Sequence, residues 1–196
     1  MLEAAGADRI LTMDLHAPQI QGFFNIPVDH LYGSAVIIDH LQERLPEDPV
    51  VVAPDVGSLK LARAYAKRLK ADLALIDKRR PQPNVAEVMN VIGEVSGRDV
   101  VLIDDMVDTA GTLCSAATAL KERGALGIWA AATHPLLSGP AYDRIDASPI
   151  DKLVIADTVP LTRMLDRLEV VSVAEHFADA IHRINADESV STIFIP

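Results

Sequence analysis

Short runs of unbroken apolar residues, among them "VVVAP", "DVVLID", "GIWAAATH" and "KLVIAD", recur between segments whose apolar residues fall at helical spacing. A strand that is apolar on both faces needs cover on both faces, and the intervening helices supply it. The pattern predicts an α/β fold, a doubly wound and mostly parallel sheet. Further strands are predicted at "RILTMDLH", "LALID", "VMNVIGEV" and "LEVVSV", with "VMNVIGEV" joined to "DVVLID" by the turn "SGR". Helices are predicted at "GSAVIIDHLQERL", "SLKLARAYAKRLK", Leu113 to Arg123 stopped by Gly124, and "AEHFADAIHRIN". In sheets of this kind ligands sit at the carboxyl ends of strands, so chemistry is sought immediately after each one.

The 196 residues are 49% apolar, enough for one large domain, or one domain plus a fragment of another. Every apolar run is far shorter than the roughly 20 residues of a membrane helix. The opening "MLEAAGADRI" lacks the basic start and apolar middle of a signal peptide. The lone cysteine, Cys114, excludes an internal disulfide framework and a four-cysteine zinc site. The reading is a cytoplasmic protein. A net charge of −10 argues against nucleic acid and anionic membrane as partners. Mean hydropathy of +0.20 is high for a lone monomer, so either partner subunits cover apolar surface or part of the chain is missing.

Four strand ends carry chemistry. "VVLIDDMVDTAGT" runs from a buried strand into adjacent acids, Asp104 and Asp105, and then into the small-residue loop Asp108, Thr109, Ala110, Gly111 and Thr112. Such a loop before a helix lets backbone N–H groups approach a phosphate, with threonine hydroxyls as extra donors and Gly111 allowing a tight backbone path. The acids can accept hydrogen bonds from a ribose diol. No Gly-Lys pair and no G-x-G-x-x-G run exist, which excludes the P-loop and the dinucleotide fingerprint. "DLHAPQIQGFF" places His16 after the first strand. "VVVAPDVGSLK" ends a strand on Asp55 and feeds a helix N-terminus at Ser58 and Leu59, suited to a diphosphate or a metal-bridged phosphate. "DKRRPQPN" puts Lys78 and Arg80 on a proline-stiffened loop, where a basic pair can clamp charge developing in phosphoryl transfer.

Together these motifs resemble those of the ribose-phosphate pyrophosphokinases, the synthetases of 5-phosphoribosyl 1-diphosphate (PRPP). "VLIDDMVDTAGT" looks like the PRPP loop that these enzymes share with type I phosphoribosyltransferases, whereas "DLHAPQIQGFF" is similar to a motif of the synthetases alone. The resemblance implies a type I phosphoribosyltransferase-like sheet and transfer of the diphosphoryl group of ATP to the anomeric hydroxyl of ribose 5-phosphate. It implies that Asp104 and Asp105 face the ribose hydroxyls and that Asp108 to Thr112 wrap the 5-phosphate. Lys78 and Arg80 would be the catalytic pair of a flexible loop, Arg80 also touching ribose 5-phosphate. His16 would lie beside ATP and Mg²⁺, and Asp55 would help hold a metal.

The resemblance further implies a homo-oligomer, a hexamer in the family. Family members carry most of another α/β domain ahead of the "DLH" motif, and this chain starts a few residues before it. The expected organisation is a remnant of that domain over 1–32, a phosphoribosyltransferase-like domain over 33–188 and a tail over 189–196. Met1 is then expected to be an internal start, leaving the chain weakly active or inactive. Ser189 and Ser191 are candidates for a regulatory phosphate, while "ADTVPL" matches the family without an evident role. The alternatives are a noncatalytic phosphosugar-binding subunit associated with active synthetases, or a type I phosphoribosyltransferase.

Overall fold

The computed structural model describes residues 1–79, 88–191 and 193. In chain order the strands and helices are β1 (Ile10–Met13), β2 (Val28–Leu31), α1 (Ser34–Gln42), β3 (Val50–Ala53), α2 (Leu59–Leu69), β4 (Asp72–Arg79), β5 (Val88–Ile92), β6 (Val100–Val107), α3 (Gly111–Glu122), β7 (Ile128–Pro135), α4 (Ala141–Ala147), β8 (Lys152–Ala156), β9 (Leu168–Val171) and α5 (Ala174–Asn185). β1 and β2 pair in parallel as a separate two-stranded sheet. The remaining strands form a seven-stranded sheet in the order β5-β4-β3-β6-β7-β8-β9, parallel except where β5 runs against β4.

The apolar strands are covered on both sides, as their composition requires. Alternate residues go to opposite faces. Val50, Val52, Val100, Leu102, Ala130 and Leu153 pack beneath α3 and α4 with Leu113, Ala117, Leu120 and Ile145. Val51, Val101, Ile103, Ala131 and Val154 pack against α1 and α2 with Ile37, Leu41, Ala62 and Tyr65. The small sheet has its own cluster, in which Met13 and Leu31 meet Ala156, Val173 and Ala180 of the β8 to α5 region.

Several local expectations are corrected. The turn at "SGR" lies between β5 and β6 as expected, although the two strands are not neighbours in the sheet. β5 is the antiparallel edge strand on β4, and the chain recrosses to place β6 between β3 and β7. β2 is absent from the sequence reading because "VDHL" interrupts its apolar pattern with Asp29 and His30, and its partner β1 lies far away in sequence. α4 spans only seven residues, too few for a helical period to show. α5 has the expected bounds, and α3 ends as expected just before Gly124, at a φ of 87°.

Candidate active site

β3 and β6 are neighbours, yet the chain leaves β3 toward β4 on one side and β6 toward β7 on the other. That reversal opens a crevice beyond the carboxyl ends of the two strands. A cavity of about 540 Å³ occupies it, lined by His16, Asp55, Ser58, Asp104, Asp105 and the loop from Asp108 to Thr112. The structure thus brings together three of the four strand ends that the sequence singles out.

The loop is strained where sequence did not place the strain. Ala110 has φ 57°, a left-handed conformation, and α3 begins at the next residue. For a residue with a Cβ this costs roughly 1–2 kcal/mol. Gly111 has no positive φ, so its expected tight path belongs to Ala110 instead; a Cβ at Gly111 would sit 3.4 Å from Arg144 Nη1. The strained turn is held from the segment between β7 and α4 and from α4 itself. Leu137 and Ser138 donate backbone N–H groups to the Val107 and Asp108 carbonyls, each at 3.0 Å. The Ser138 hydroxyl donates to the Asp108 carboxylate, and Arg144 Nη1 donates to the Thr109 carbonyl at 2.9 Å. Thr109 and Thr112 remain exposed beside the cavity.

The acids behind the loop are crowded. Burial pushes the Asp104 carboxyl up to about 6, and the negative charges of Asp105 and Asp55 push the same way. Asp104 Oδ1 accepts the Asp105 backbone N–H at 3.0 Å and lies 3.2 Å from Ser58 Oγ. Ser58 Oγ is also 3.0 Å from Asp55 Oδ1. One hydroxyl proton serves two carboxylate oxygens, so one contact lacks a hydrogen unless Asp104 is itself protonated. The Ser58 backbone N–H donates to Asp55 Oδ1 at 3.0 Å. The Ser58 amide, expected to face a phosphate at this helix N-terminus, is thus engaged by Asp55.

His16 reaches the crevice from beyond β1. Its ring is 69% exposed, and Nδ1 lies 2.6 Å from Asp105 Oδ2. The hydrogen bond to Asp105, aided by that residue's charge, raises the imidazole pKa. Nε2 is left to face solvent or ligand. Among the described residues no group of three or more His, Cys, Asp or Glu side chains is placed to hold a metal alone. Hard carboxylate oxygens from Asp55 and Asp105 beside one imidazole suit Mg²⁺, which keeps waters and takes substrate oxygens rather than a protein cage. Lys78 lies on β4 opposite Met89, its side chain outside the described residues, and Arg80 lies outside them entirely. Ser189 and Ser191 hydrogen-bond to each other at 2.8 Å and do not line the cavity.

With this geometry in place, comparison with known proteins is decisive. The family model for the phosphoribosyl synthetase-associated domain matches residues 80–195. The chain belongs to the PRPP synthetase family. A ribose-phosphate pyrophosphokinase of Chlorobaculum tepidum is 55% identical over 99% of this chain and 61% of its own length. One from Caldanaerobacter subterraneus is likewise 55% identical, over 99% of this chain and 62% of its own length. The crystal structure of phosphoribosylpyrophosphate synthetase from Mycobacterium smegmatis superposes with a TM-score of 0.88 at 38% identity, covering 95% of this chain and 61% of that one. The chain therefore spans about three-fifths of these PRPP synthetases.

Sequence reasoning missed the Ser58 hydroxyl, Ser138 and Arg144. All lie just past strands or on the helix that follows, within "VGSLK" and "HPLLSGPAYDR". The strand-end rule applied to β7 would have found the second group. No helix among the described residues is long and apolar enough to cross a membrane.

Proposed function

We propose that the chain binds ribose 5-phosphate in this crevice and contributes to PRPP synthesis, in which the sugar's anomeric hydroxyl attacks the β-phosphorus of ATP and AMP departs. The single observation that carries the reading is the joining of a strained, externally braced loop to an acid pair at the topological switch point. The loop from Asp108 to Thr112 cradles the 5-phosphate with N–H groups and hydroxyls, and Asp104 with Asp105 accepts hydrogen bonds from the ribose diol. His16 orients ATP through Nε2 while Asp105 fixes its ring. Mg²⁺ near His16 and Asp55 would neutralise phosphate oxygens. Lys78 and Arg80 close on the transferring group, where positioning and charge neutralisation do most of the catalysis.

Residues 1–32 are read as part of a preceding α/β domain, on the support that β1 and β2 form a sheet apart from the seven-stranded one. Residues 33–188 form the phosphoribosyltransferase-like domain, and 189–196 its tail. A cytoplasmic homo-oligomer, hexameric as the family resemblance implies, accords with the positive mean hydropathy of +0.20 and with the exposure of Phe23 and Val56. The net charge of −10 supports partners other than nucleic acid.

Calorimetry tests the proposal: ribose 5-phosphate is expected to bind, and ribose without the phosphate to fail. Equal affinity for the two sugars would remove the phosphate cradle. Assay of AMP release from ATP and ribose 5-phosphate then measures turnover, expected to be slow for the 196-residue chain.

Arg144 gives a further expected outcome. Among the described residues no lysine or arginine lines the cavity, which carries Asp55, Asp104, Asp105 and Asp108. A sugar phosphate dianion entering there meets the Arg144 guanidinium beside Thr109 as compensation. Arg144→Gln is expected to weaken ribose 5-phosphate binding about tenfold and to flatten its salt dependence, with Arg144→Lys intermediate. Titrations at low and high salt check this; unchanged affinity would assign Arg144 to loop bracing alone.

A further inference from the structure

The end of β1 is tied to the end of β7 by buried polar groups that the reaction does not use. Asp14 is buried with φ 40°, and its Oδ2 accepts the Gly33 N–H at 2.9 Å and the Thr133 hydroxyl at 2.6 Å. Thr133, the second of these donors, is itself only 1% exposed. The next residue, His134, sets Nε2 at 3.1 Å from the Met13 carbonyl and 3.0 Å from that of Asp14. Two carbonyl oxygens can only accept, so Nε2 carries the hydrogen. On the other side of the ring, Nδ1 lies 2.9 Å from Thr158 Oγ1, and that hydroxyl also reaches the Thr133 carbonyl at 2.9 Å. Thr158 belongs to "ADTVPL", the stretch left without a role by its sequence.

These contacts have a geometric consequence. Among the described residues β1 and β2 pair as strands only with each other, so that ladder does not register His16 against the large sheet. The Leu15 N–H donates to His30 Nε2 at 3.1 Å, a bond from β2 that stays within the small sheet. His16, two residues past Asp14, nevertheless meets Asp105 of β6 at 2.6 Å. Groups in an active site must be held to within a fraction of an ångström, and a misplacement of about 1 Å can cost roughly a hundredfold in rate.

We propose that Thr133, His134 and Thr158 form a lock that positions the His16 segment against Asp105. They are positioning residues, and their functional meaning rests on the reading of His16 given above. Thr133 donates to the Asp14 carboxylate and holds it in place, His134 fixes the two carbonyls that precede the loop, and Thr158 holds the ring of His134 in one orientation. The left-handed conformation of Asp14 is retained because all of these partners determine it together.

The test uses the 196-residue chain and needs no turnover. Thr133→Val keeps the shape and removes the hydroxyl. Amide exchange at residues 14–17 is expected to rise about tenfold while that of β6 and its loop stays unchanged. The ¹⁵N signals of the His16 ring, read at one fixed pH, are expected to move toward those of a freely solvated imidazole. Thr133→Ser is expected to restore both. Should Thr133→Val fail to fold, Thr158→Val removes only the outer member and is read in the same way, with a smaller rise. Unchanged exchange at 14–17, or a rise spread equally over β3, β6 and β7, overturns the lock. Ribose 5-phosphate calorimetry on the same samples reports separately on the cradle: affinity unchanged within about twofold is expected, because the lock bears on His16 and not on the loop.

Discussion

Asparagine in place of Asp104 is expected to yield a more stable protein with a poorer sugar site. The carboxyl is pushed from 3.8 up to about 6, first by burial and then by its acidic neighbours. A raised carboxyl pKa means that the folded state holds its proton more tightly than the unfolded chain does. Stability then falls as pH rises through the window from 3.8 to about 6 and stays reduced above it. Asparagine has no charge to desolvate, and its Oδ1 can still accept from the Asp105 amide and the Ser58 hydroxyl. Discounted for partial exposure, the gain above that window is about 2 kcal/mol, or roughly 4–8 °C in Tm for a domain of this size. Below the ordinary value of 3.8 both proteins carry a neutral group and the gain disappears. Ribose 5-phosphate affinity is expected to drop roughly 10- to 100-fold, since a charged acceptor for the diol becomes a mixed amide. Melting curves at pH values on either side of the window, with calorimetry at the higher one, check both halves. A variant equally stable at high pH would show that Asp104 is not under the strain described.

Such opposition between stability and site is what made the site legible. Adjacent acids at the end of "VVLIDD" are unfavourable for folding, which singled them out as site candidates, and the same physics now appears as a raised Asp104 pKa. The two faces of the sheet were equally readable, because Val50 to Ala53 and Val100 to Ile103 are apolar at every position and can only be covered twice. What stayed hidden depends on contacts between distant segments. Ser58 joins Asp55 to Asp104 across 46 residues, and Thr133 meets Asp14 across 119. No local pattern encodes either pair. The exchange of roles between Ala110 and Gly111 was hidden for another reason: glycine is the usual left-handed residue, and here Leu137, Ser138 and Arg144 brace an alanine into that conformation instead.

Gly33→Ala is expected to be among the most damaging single methyl additions in the molecule. Gly33 has φ −63°, an ordinary helical value at the start of α1, so backbone freedom is not the reason for glycine there. The smaller conformational entropy of an unfolded chain with alanine would by itself stabilise by about 0.4–1 kcal/mol. Space decides the opposite. A Cβ at this position would lie 2.6 Å from Thr133 Oγ1, 2.8 Å from Thr133 Cγ2 and 3.0 Å from Asp14 Oδ2. Thr133 is 1% exposed and Asp14 8%, so neither side chain has solvent to turn into. Rotating Thr133 away would also strip a hydrogen bond from a buried carboxylate, which costs about 1–3 kcal/mol by itself. The net loss is expected to be about 2–4 kcal/mol, or a fall in Tm of roughly 5–15 °C. A double-mutant cycle isolates the cause. Thr133→Ala deletes both atoms nearest the new methyl, so adding Gly33→Ala to that background should cost far less than adding it to the native chain. If the two costs match, the damage comes from α1 itself, and the packing of β7 against the start of that helix is looser than these distances imply.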